Sequence, residues 1–413
     1  MNTAWRQKTK KRRYSAPFFA AYFFYYAGYC VFAGYIVLYL TERGYSAGFC
    51  GLITSLTMLF NLVMEPLAGY LSDTFLSTRK YLSLCIAAIF ALCLVATLLD
   101  QHPAFYITAL VMSAGLAYPI SQLMDAWVSC SRELDPTLIY SRVRAGGSIG
   151  FALASIGLGY HFEHWGWDGY FLAQGLFFLI LLPILYFLPQ IPLGNRKGSV
   201  SSDRWLSLSS SLGVILKNRQ YLMCLLICTV YWFSHRPIGS YLSLIVADRG
   251  GSSSVFGRVC GVGSTVEFLA LLLLSAMQRR HKLPLWWCMA LSLLTGALRP
   301  LCFHLFDGIW PLYAGQVMQS ISFALFFSGS VECFTRSADP RIRSFCISVG
   351  LTLSSVVGSV SANLSGGWLC DRFGSDSLVV LSLSVSVINY LLFVLCFPCC
   401  GPHKRQIGPP AQC

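Results

Sequence analysis

Long apolar runs separated by short polar segments are the dominant pattern along this chain. Twelve runs are long enough for a membrane helix, which needs about 20 predominantly apolar residues to cross the hydrocarbon core. They lie near residues 17–40, 46–72, 81–101, 103–130, 143–161, 169–190, 220–246, 253–278, 283–303, 309–333, 344–368 and 377–398. The pattern predicts an all-α integral membrane protein with twelve transmembrane helices.

The first apolar run follows a basic segment from Lys8 to Arg13, an order that is also found in secretory signal peptides. The run from Pro17 to Leu40 contains 24 residues and no charge, which is too long for the apolar region of a signal peptide. We therefore expect this segment to stay attached as the first transmembrane helix.

Composition excludes several functional classes. Hydrophobic residues make up 55% of the 413 residues and charged residues only 11%, against roughly 25% charged residues in a typical globular chain. A soluble enzyme, a nucleic-acid-binding protein and a secreted disulfide scaffold are therefore excluded. Most of the 17 cysteines lie inside apolar runs, where a thiol packs as a small apolar group. Cys224 and Cys228 share one helix face without a further metal ligand, so packing is favoured, and no metal or cofactor motif is found.

The net charge of +13 is explained by membrane topology. If the two tails and every even-to-odd connection lie on one side, that side holds 24 of the 30 Lys and Arg residues. The opposite loops hold Arg43, Arg249 and Arg372. Because cytoplasmic loops carry the excess of Lys and Arg, we expect both termini in the cytoplasm and the protein in the plasma (inner) membrane. No nucleic-acid partner is needed to explain the charge.

A polar segment divides the twelve runs into six and six. It contains Pro192, Gly194 and a serine-rich stretch. We therefore predict an N-terminal six-helix bundle at 1–190, a cytoplasmic linker at 191–219 and a C-terminal bundle at 220–413. An internal echo supports the division, because Arg-x-Arg follows an Asp-Pro both at 142–144 and at 341–343. Parallel six-helix repeats of this kind are typical of one large class of transporters, which bind substrate between the halves.

Charged residues inside the apolar runs are the strongest functional signal, because a charge at the bilayer centre costs roughly 2.5–3.5 kcal/mol on insertion scales. The candidates in order along the chain are Glu65, Asp125, Arg236, Glu267 and Arg299. Each could bind substrate or protons, and each could instead form an internal salt bridge that only holds helices together. Glu332 is a weaker candidate, because Arg336 four residues later predicts an ordinary surface pair.

The segment Leu59 to Asp73, followed by Arg79-Lys80, resembles the second-helix and loop motif of the major facilitator superfamily, most closely its lactose-permease and phenylpropionate-permease group. The turn between Asp73 and Arg79 is one residue longer than in the family and lacks its usual glycine. The resemblance implies twelve helices and a gating contact in which Asp73 and Arg79 meet the start of the eleventh helix near Arg341 and Arg343. A plain turn role for Asp73 is the alternative.

The stretch from Asp125-Ala-Trp127 to Tyr140-Ser-Arg142-Val-Arg144 and Phe151 is similar to the sugar-binding region of lactose permease. The resemblance implies substrate-binding roles for Asp125, Arg144, Phe151 and Trp127. A carboxylate accepts hydroxyl donors, a guanidinium offers a planar fork of donors, and a ring covers the apolar face of a sugar. Phe151 stands where the permease has an indole, which weakens any preference for galactosides.

The second half resembles the phenylpropionate-permease type. Glu267 follows Gly257 by ten residues, and Arg299 matches the arginine of that group's ninth helix. The resemblance implies that these two residues are the proton-coupling pair. Glu65, a carboxylate inside the second apolar run, is a further candidate for proton coupling. Gln319 stands where relatives have a proton-carrying histidine, and an amide cannot exchange a proton in this role.

The sequence therefore predicts a secondary active transporter, and no enzyme, that imports a small hydroxylated solute such as a sugar or nucleoside with protons. Its partners are the small-molecule substrate, protons and the lipid bilayer, without a cofactor. An aromatic or other organic acid, bound by Arg144, Arg236 and Arg299, is the alternative substrate, and an uncoupled facilitator is the alternative mechanism.

Overall fold

The computed structural model describes residues 13–132, 134–190, 217–280, 285–338 and 343–396, and within these ranges every regular element is an α-helix. The thirteen helices are α1 (Ser15–Glu42), α2 (Ala47–Thr74), α3 (Thr78–Leu98), α4 (Pro103–Ser131), α5 (Tyr140–Trp165), α6 (Tyr170–Phe187), α7 (Arg219–Ser240), α8 (Leu242–Asp248), α9 (Ser253–Arg280), α10 (Leu285–Leu305), α11 (Trp310–Ser337), α12 (Arg343–Phe373) and α13 (Asp376–Cys396).

Ten of these described helices are long and apolar enough to cross a membrane. The three others are α5, α7 and the short α8. In α5 the charged residues Arg142 and Arg144 lower the mean hydropathy, and in α7 Arg236 does the same. The protein is thus a multi-pass helical membrane protein, while the number of twelve spans stays a prediction.

The seventh predicted run, 220–246, is not one continuous helix as expected. It is divided at Tyr241 into α7 and α8. Pro237 lies inside α7 and has no backbone N–H, so it removes one hydrogen bond from the last turns of this helix. At the division, the Tyr241 hydroxyl donates to the Asn363 carbonyl oxygen at 2.7 Å. Residues 191–216 of the predicted linker lie outside the described residues, so the domain boundaries also stay a prediction.

The helices pack in two groups that follow chain order. In the first helix group, α1 to α6, helix α1 contacts α5 and α6, and α4 contacts α2 and α3. In the second helix group, α7 to α13, helix α11 contacts α9 and α10, and α7 contacts α12 and α13. The two groups meet mainly along α5 with α9 and along α2 with α12.

The two groups join at one end of the molecule, which we call the closed end and which carries the α1–α2, α5–α6, α8–α9 and α12–α13 connections. A single hydrophobic core runs from the first group into the second, where its members are Ile238, Tyr241, Leu242, Ile245, Val246, Phe256, Val259, Phe303, Leu312, Leu378 and Val379. A separate core formed around Tyr221, Cys228 and Phe334 belongs to the second group alone. The groups are therefore packed together at the closed end and have separate cores toward the other end.

Two arginines at the closed end occupy corresponding places in the two groups. Arg43 follows α1 and donates to both carboxylate oxygens of Asp100 at 2.5 Å. Arg249 follows α8 and donates to backbone carbonyl oxygens after α10, including that of Phe306 at 3.1 Å. In each group an arginine after the first span of the group ties it to the end of the third. This correspondence agrees with the internal echo in the sequence.

Candidate functional site

Asp125 lies in α4 and is held by two phenol hydroxyls from neighbouring helices. The Tyr22 hydroxyl of α1 donates to Oδ1 of Asp125 at 2.5 Å, and the Tyr140 hydroxyl at the start of α5 donates to the same oxygen at 3.1 Å. The second oxygen, Oδ2, accepts neither of these hydrogen bonds. Asp125 is only partly buried, so this carboxylate keeps capacity for a further donor.

Arg144 lies beside this carboxylate but does not form a direct ion pair with it. Its guanidinium donates to the Tyr26 hydroxyl at 2.5 Å and lies 4.3 Å from the centroid of that ring. It also lies 5.6 Å from the centroid of Tyr22. Tyr22 therefore connects the two charges, with its ring at Arg144 and its hydroxyl at Asp125. We call Asp125, Arg144, Tyr22, Tyr26 and Tyr140 the acid–arginine cluster.

Phe151 and Trp127 occupy different environments. Phe151 lies two turns after Arg144 on α5, hence on the same side of that helix, and is partly buried against the main core. Trp127 is 1% exposed, packs edge to face against Phe18 and donates its indole N–H to the Pro189 carbonyl oxygen at 2.9 Å. Phe151 thus shares a face of α5 with Arg144, whereas Trp127 lies in the core.

The structure does not bring Glu267 and Arg299 together as the expected coupling pair. Both side chains belong to the part of the chain that the structure describes, and no hydrogen bond or ion pair joins them. Glu267 in α9 is instead within electrostatic range of Arg144 from the first helix group. Arg144 also interacts electrostatically with Asp125, so one cation is within electrostatic range of a carboxylate from each helix group.

Arg299 in α10 is almost completely buried, at 2% exposure, and its three guanidinium nitrogens have no hydrogen-bond partner among the described residues. Its guanidinium lies 5.8 Å from the ring of Phe303. Arg236 in α7 donates to the Ser359 hydroxyl at 3.0 Å and lies 5.4 Å from the Trp232 ring. Arg236 also acts electrostatically on Tyr29 and Tyr118 of the first helix group.

The remaining predicted residues are only partly placed. Glu65 in α2 is partly buried, with its carboxylate in hydrogen-bonding reach of Gln122 and Asn61. Arg79 donates to the Leu188 carbonyl oxygen after α6, a contact within the first group. Asp73 belongs to α2 and Arg343 begins α12.

The side chain of Asp73, and all of Arg341, lie outside what the structure describes. The predicted gating contact therefore stays a prediction. The predicted surface pair of Glu332 and Arg336 is confirmed, with an Oε1–Nε distance of 2.7 Å.

Two carboxylates close the contact between the helix groups. Asp371 at the end of α12 accepts the backbone N–H groups of Ala47 and Gly48, each at 2.8 Å, and so caps the start of α2. Glu163 at the end of α5 accepts the backbone N–H of Ser254 at 2.9 Å, at the start of α9. Both are acids at helix N-termini, where negative charge is favourable. We call these two contacts the carboxylate caps.

Sequence reasoning missed two features. It searched for charges and so overlooked the phenols of α1, although tyrosines at positions 22, 25, 26 and 29 recur with helical spacing in mid-helix. It also assigned Cys224 to packing, whereas Cys224 forms a disulfide with Cys333, with a sulfur–sulfur distance of 2.11 Å. Within the described ranges, no three His, Cys, Asp or Glu side chains are grouped to hold a metal ion.

The acid–arginine cluster can bind a neutral, hydroxylated molecule. It offers carboxylate oxygens as acceptors, guanidinium and phenol groups as donors, and aromatic rings that cover apolar faces. Sites of this composition, with few polar groups among aromatic side chains, are typical of small-molecule binding.

The sequence model of the family described as "MFS_1 like family" matches residues 18–393. The chain is 23% identical over 404 residues to the maltose permease of Geobacillus stearothermophilus, covering 96% of this chain and 97% of the permease. It is 22% identical to the uncharacterized transporter YwbF of Bacillus subtilis, covering 92% of each.

Solved structures with the same fold include the nucleoside transporter NupG, with a TM-score of 0.78, 15% identity and coverage of 95% of this chain and 100% of NupG. A D-xylose-proton symporter superposes with a TM-score of 0.67 at 12% identity, covering 92% of this chain and 96% of the symporter.

Proposed function

Since the chain belongs to the MFS_1 like family of transporters, we propose that it is a secondary active transporter that imports a sugar or nucleoside together with protons. The acid–arginine cluster carries this proposal. Its carboxylate, guanidinium and phenol hydroxyls offer both acceptors and donors to a solute with several hydroxyl groups. The maltose permease, the nucleoside transporter and the D-xylose-proton symporter are similar to this chain and are named for such solutes.

Asp125 and Arg144 are the proposed substrate-binding residues, and Phe151 is the proposed ring for the apolar face of the solute. Trp127 is left out of this set because its indole N–H is already bonded to a backbone carbonyl in the core. Tyr22, Tyr26 and Tyr140 join the set because they hold the two charged groups in place.

Glu267 is the proposed proton carrier. It lies inside α9 without a hydrogen bond or an ion pair among the described residues, and Arg144 is in electrostatic range. When substrate draws Arg144 toward Asp125 or away from it, the charge felt by Glu267 changes, and this links substrate binding to protonation. Arg299 and Glu65 are secondary candidates for coupling. The other end of the molecule is proposed to close through a gating contact formed by Asp73, Arg79, Arg341 and Arg343. The protein is proposed to lie in the plasma membrane with both termini in the cytoplasm.

The first experiment measures the pH of a lightly buffered suspension of cells that express the protein while sugars, nucleosides and aromatic acids are added in turn. Proton symport predicts alkalinisation with sugars or nucleosides, and its loss in Asp125→Asn. Tyr25→Phe is the matched control, because the Tyr25 hydroxyl donates to the Ala117 backbone carbonyl and not to Asp125. Normal uptake at unchanged affinity in Asp125→Ala would contradict the binding role.

The coupling role of Glu267 needs a separate measurement. Glu267→Gln should lose accumulation against a gradient and keep exchange of labelled for unlabelled solute, since exchange requires no net proton movement. Glu332→Gln serves as the control, because this acid is paired with Arg336 near the surface. Accumulation retained in Glu267→Gln would make the protein a facilitator or would assign the proton to another group.

An organic acid is the second candidate substrate, and Arg299 favours it. A buried guanidinium without a partner is costly, and a substrate carboxylate that reaches it in another conformation would compensate its charge. Alkalinisation with aromatic acids but not with sugars, lost in Arg299→Gln, would select this candidate.

A further inference from the structure

Arg236 of α7 is held at one edge of its guanidinium and keeps the other edge free. Its Nε donates to the Ser359 hydroxyl at 3.0 Å, and the guanidinium lies 5.4 Å from the centroid of the Trp232 ring. Among the described residues, the terminal nitrogens Nη1 and Nη2 make no hydrogen bond, and no carboxylate forms an ion pair with them. Unlike the nitrogens of Arg299, they are not fully buried. Arg236 therefore offers a pair of donors to a ligand.

A row of three partly buried phenol rings connects Arg144 with Arg236. Arg144 lies 4.3 Å from the Tyr26 centroid, the Tyr26 and Tyr29 centroids are 5.8 Å apart, and those of Tyr29 and Tyr118 are 5.6 Å apart. Arg236 acts electrostatically on Tyr29 and on Tyr118. We call Tyr26, Tyr29 and Tyr118 the tyrosine row. The acid–arginine cluster lies at one end of this row, and a guanidinium from the second helix group lies near the other end.

The two guanidiniums differ in the charges around them. Arg144 has Asp125 and Glu267 within electrostatic range, whereas the phenols of the tyrosine row beside Arg236 are neutral. A cation inside a membrane protein is costly when no negative charge accompanies it. A guanidinium binds a carboxylate through two parallel hydrogen bonds, and the free edge of Arg236 is suited to this geometry. A ligand carboxylate at Arg236 would therefore supply the missing negative charge.

A neutral sugar and a simple aromatic acid each satisfy only one end of the tyrosine row. The sugar brings hydroxyl donors to Asp125 and leaves Arg236 unpaired. The aromatic acid brings a carboxylate to Arg236 but no hydroxyl donor to Asp125, whose Oδ2 accepts neither phenol hydrogen bond. We infer that the transported solute is an acidic sugar, with its hydroxyl groups bound by Asp125 and Arg144 and its carboxylate bound by Arg236. This inference rests on the proposed function and names the class of solute for the same site.

The experiment measures KM for radiolabelled uptake of two matched pairs of solutes, glucuronate with glucose and galacturonate with galactose. The members of a pair differ at one carbon, which is a carboxylate in the acid and a hydroxymethyl group in the neutral sugar. In at least one pair, the wild type should have a KM for the acid that is lower by about tenfold or more, as expected for hydrogen bonds to a charged group. Glucuronamide, which has a neutral amide in place of the carboxylate, should compete no better than glucose.

Variants at Arg236 test the carboxylate site. Arg236→Gln keeps a hydrogen-bond donor and removes the charge. It should raise KM for the acid by about tenfold or more and leave KM for the neutral sugar near the wild-type value, which also shows that the variant is folded. Arg236→Lys keeps the charge without the planar pair of donors and should recover part of the lost affinity.

Two further variants separate this site from the rest of the molecule. Arg258→Gln is the matched control, because Arg258 is an exposed arginine on α9 of the same helix group, and it should change neither KM. Asp125→Asn should raise KM for the acid and for the neutral sugar alike, because both present hydroxyl groups to this carboxylate.

Four results would overturn the inference. Equal KM values for acid and neutral sugar in both pairs would do so and leave the proposed function standing. An equal rise of both KM values in Arg236→Gln would give Arg236 a structural role instead. Tighter binding of glucose 6-phosphate than of glucuronate would replace the carboxylate by a phosphate. Uptake of none of these solutes, without alkalinisation by any sugar or nucleoside, would contradict the proposed function as well.

Discussion

Tyr22 places its hydroxyl on Asp125 and its ring beside Arg144, so one side chain positions both charges of the candidate site. Tyr22→Phe keeps the ring and removes only the donor to Asp125. A hydrogen bond to a charged group contributes about 1.5–3 kcal/mol, so we expect the KM for the transported solute to rise about tenfold or more. Initial rates of radiolabelled uptake over a range of solute concentrations measure this change.

Tyr25 provides the matched control for that variant. Its hydroxyl lies on the same helix but donates to the Ala117 carbonyl oxygen at 3.2 Å. Tyr25→Phe should leave KM near the wild-type value, even if the amount of folded protein decreases. Equal KM values in the two variants would mean that the Tyr22 hydroxyl does not position Asp125 for binding.

Helices α5 and α9 cross at two glycines that leave no room for a side chain. A Cβ at Gly159 would lie 2.5 Å from the Ser253 carbonyl oxygen, and one at Gly257 would lie 2.3 Å from that of Ser155. Small residues allow membrane helices this close approach. Gly257→Val should therefore disfavour the closed end by about 1–3 kcal/mol, shifting the population toward states open at that end and slowing uptake.

Gly157→Val is the control for this prediction, because a Cβ at Gly157 on α5 meets no atom within 4 Å. Uptake rates and expression are compared for the two variants in the same cells. The crossing is not needed for transport if Gly257→Val retains wild-type uptake, or if both variants lose uptake equally.

The carboxylate cap at Glu163 gives a prediction about pH. The Ser252 and Ser254 side chains near Glu163 and the hydrogen bond from the Ser254 backbone N–H lower the pKa of Glu163 to about 2. A lowered carboxyl pKa means that the cap is fully present above the ordinary value of about 4.3 and is lost as the pH falls toward 2. Between about pH 5.5 and 8 the cap should not titrate, so a pH optimum of uptake in that range must come from another group.

Labelling of Cys50 tests the cap, because this thiol is buried beside the closed end. Glu163→Gln should raise its labelling by an impermeant maleimide at every pH in the range, since the neutral amide loses the attraction to the start of α9. Asp376→Asn changes an acid at the same end that lies in the first turn of its own helix and should have no effect. A labelling rate that varies with pH in the wild type but not in Glu163→Gln would contradict the assignment.

The elements that could be predicted from sequence are those whose apolar runs decide their length. The run at 253–278 corresponds to α9 within two residues at its C-terminal end. Failures have specific causes. At the division at Tyr241, the hydroxyl of this residue is bonded to α12, a tertiary contact that no local pattern contains.

The charged residues of the candidate site could be predicted from the sequence, but the hydrogen bonds and pairings between its side chains could not. Asp125 and Arg144 stand out because charge inside a bilayer is costly, whereas Tyr22 and Tyr140 are neutral and common in membrane helices. The pairing of Glu267 with Arg299 was inferred from resemblance alone. Which charges meet depends on how the two helix groups approach each other, and the structure places Glu267 in range of Arg144 instead.

At the scale of the whole molecule, the two helix groups share one hydrophobic core at the closed end and have separate cores elsewhere. This arrangement is one conformation of a protein built from two helix groups. The described hydrogen bonds between the helix groups agree with this division. They include the carboxylate caps, the Ser155 hydroxyl on the Gly257 carbonyl and the Tyr241 hydroxyl on the Ala47 carbonyl. For solute to pass, these contacts must separate while the other end closes.

Spin labels at exposed positions on both ends measure this exchange directly. Glu42 and Asp376 report the closed end, and Phe75 and Arg219 report the other end, with one member of each pair in each helix group. Gly257→Val disfavours the closed end by steric overlap, so it should lengthen the first distance and shorten the second in the same molecules. Gly157→Val should change neither. Opposite changes at the two ends are required because a transporter that opened both ends together would dissipate its gradient. If Gly257→Val lengthened the first distance and left the second unchanged, the two ends would move independently.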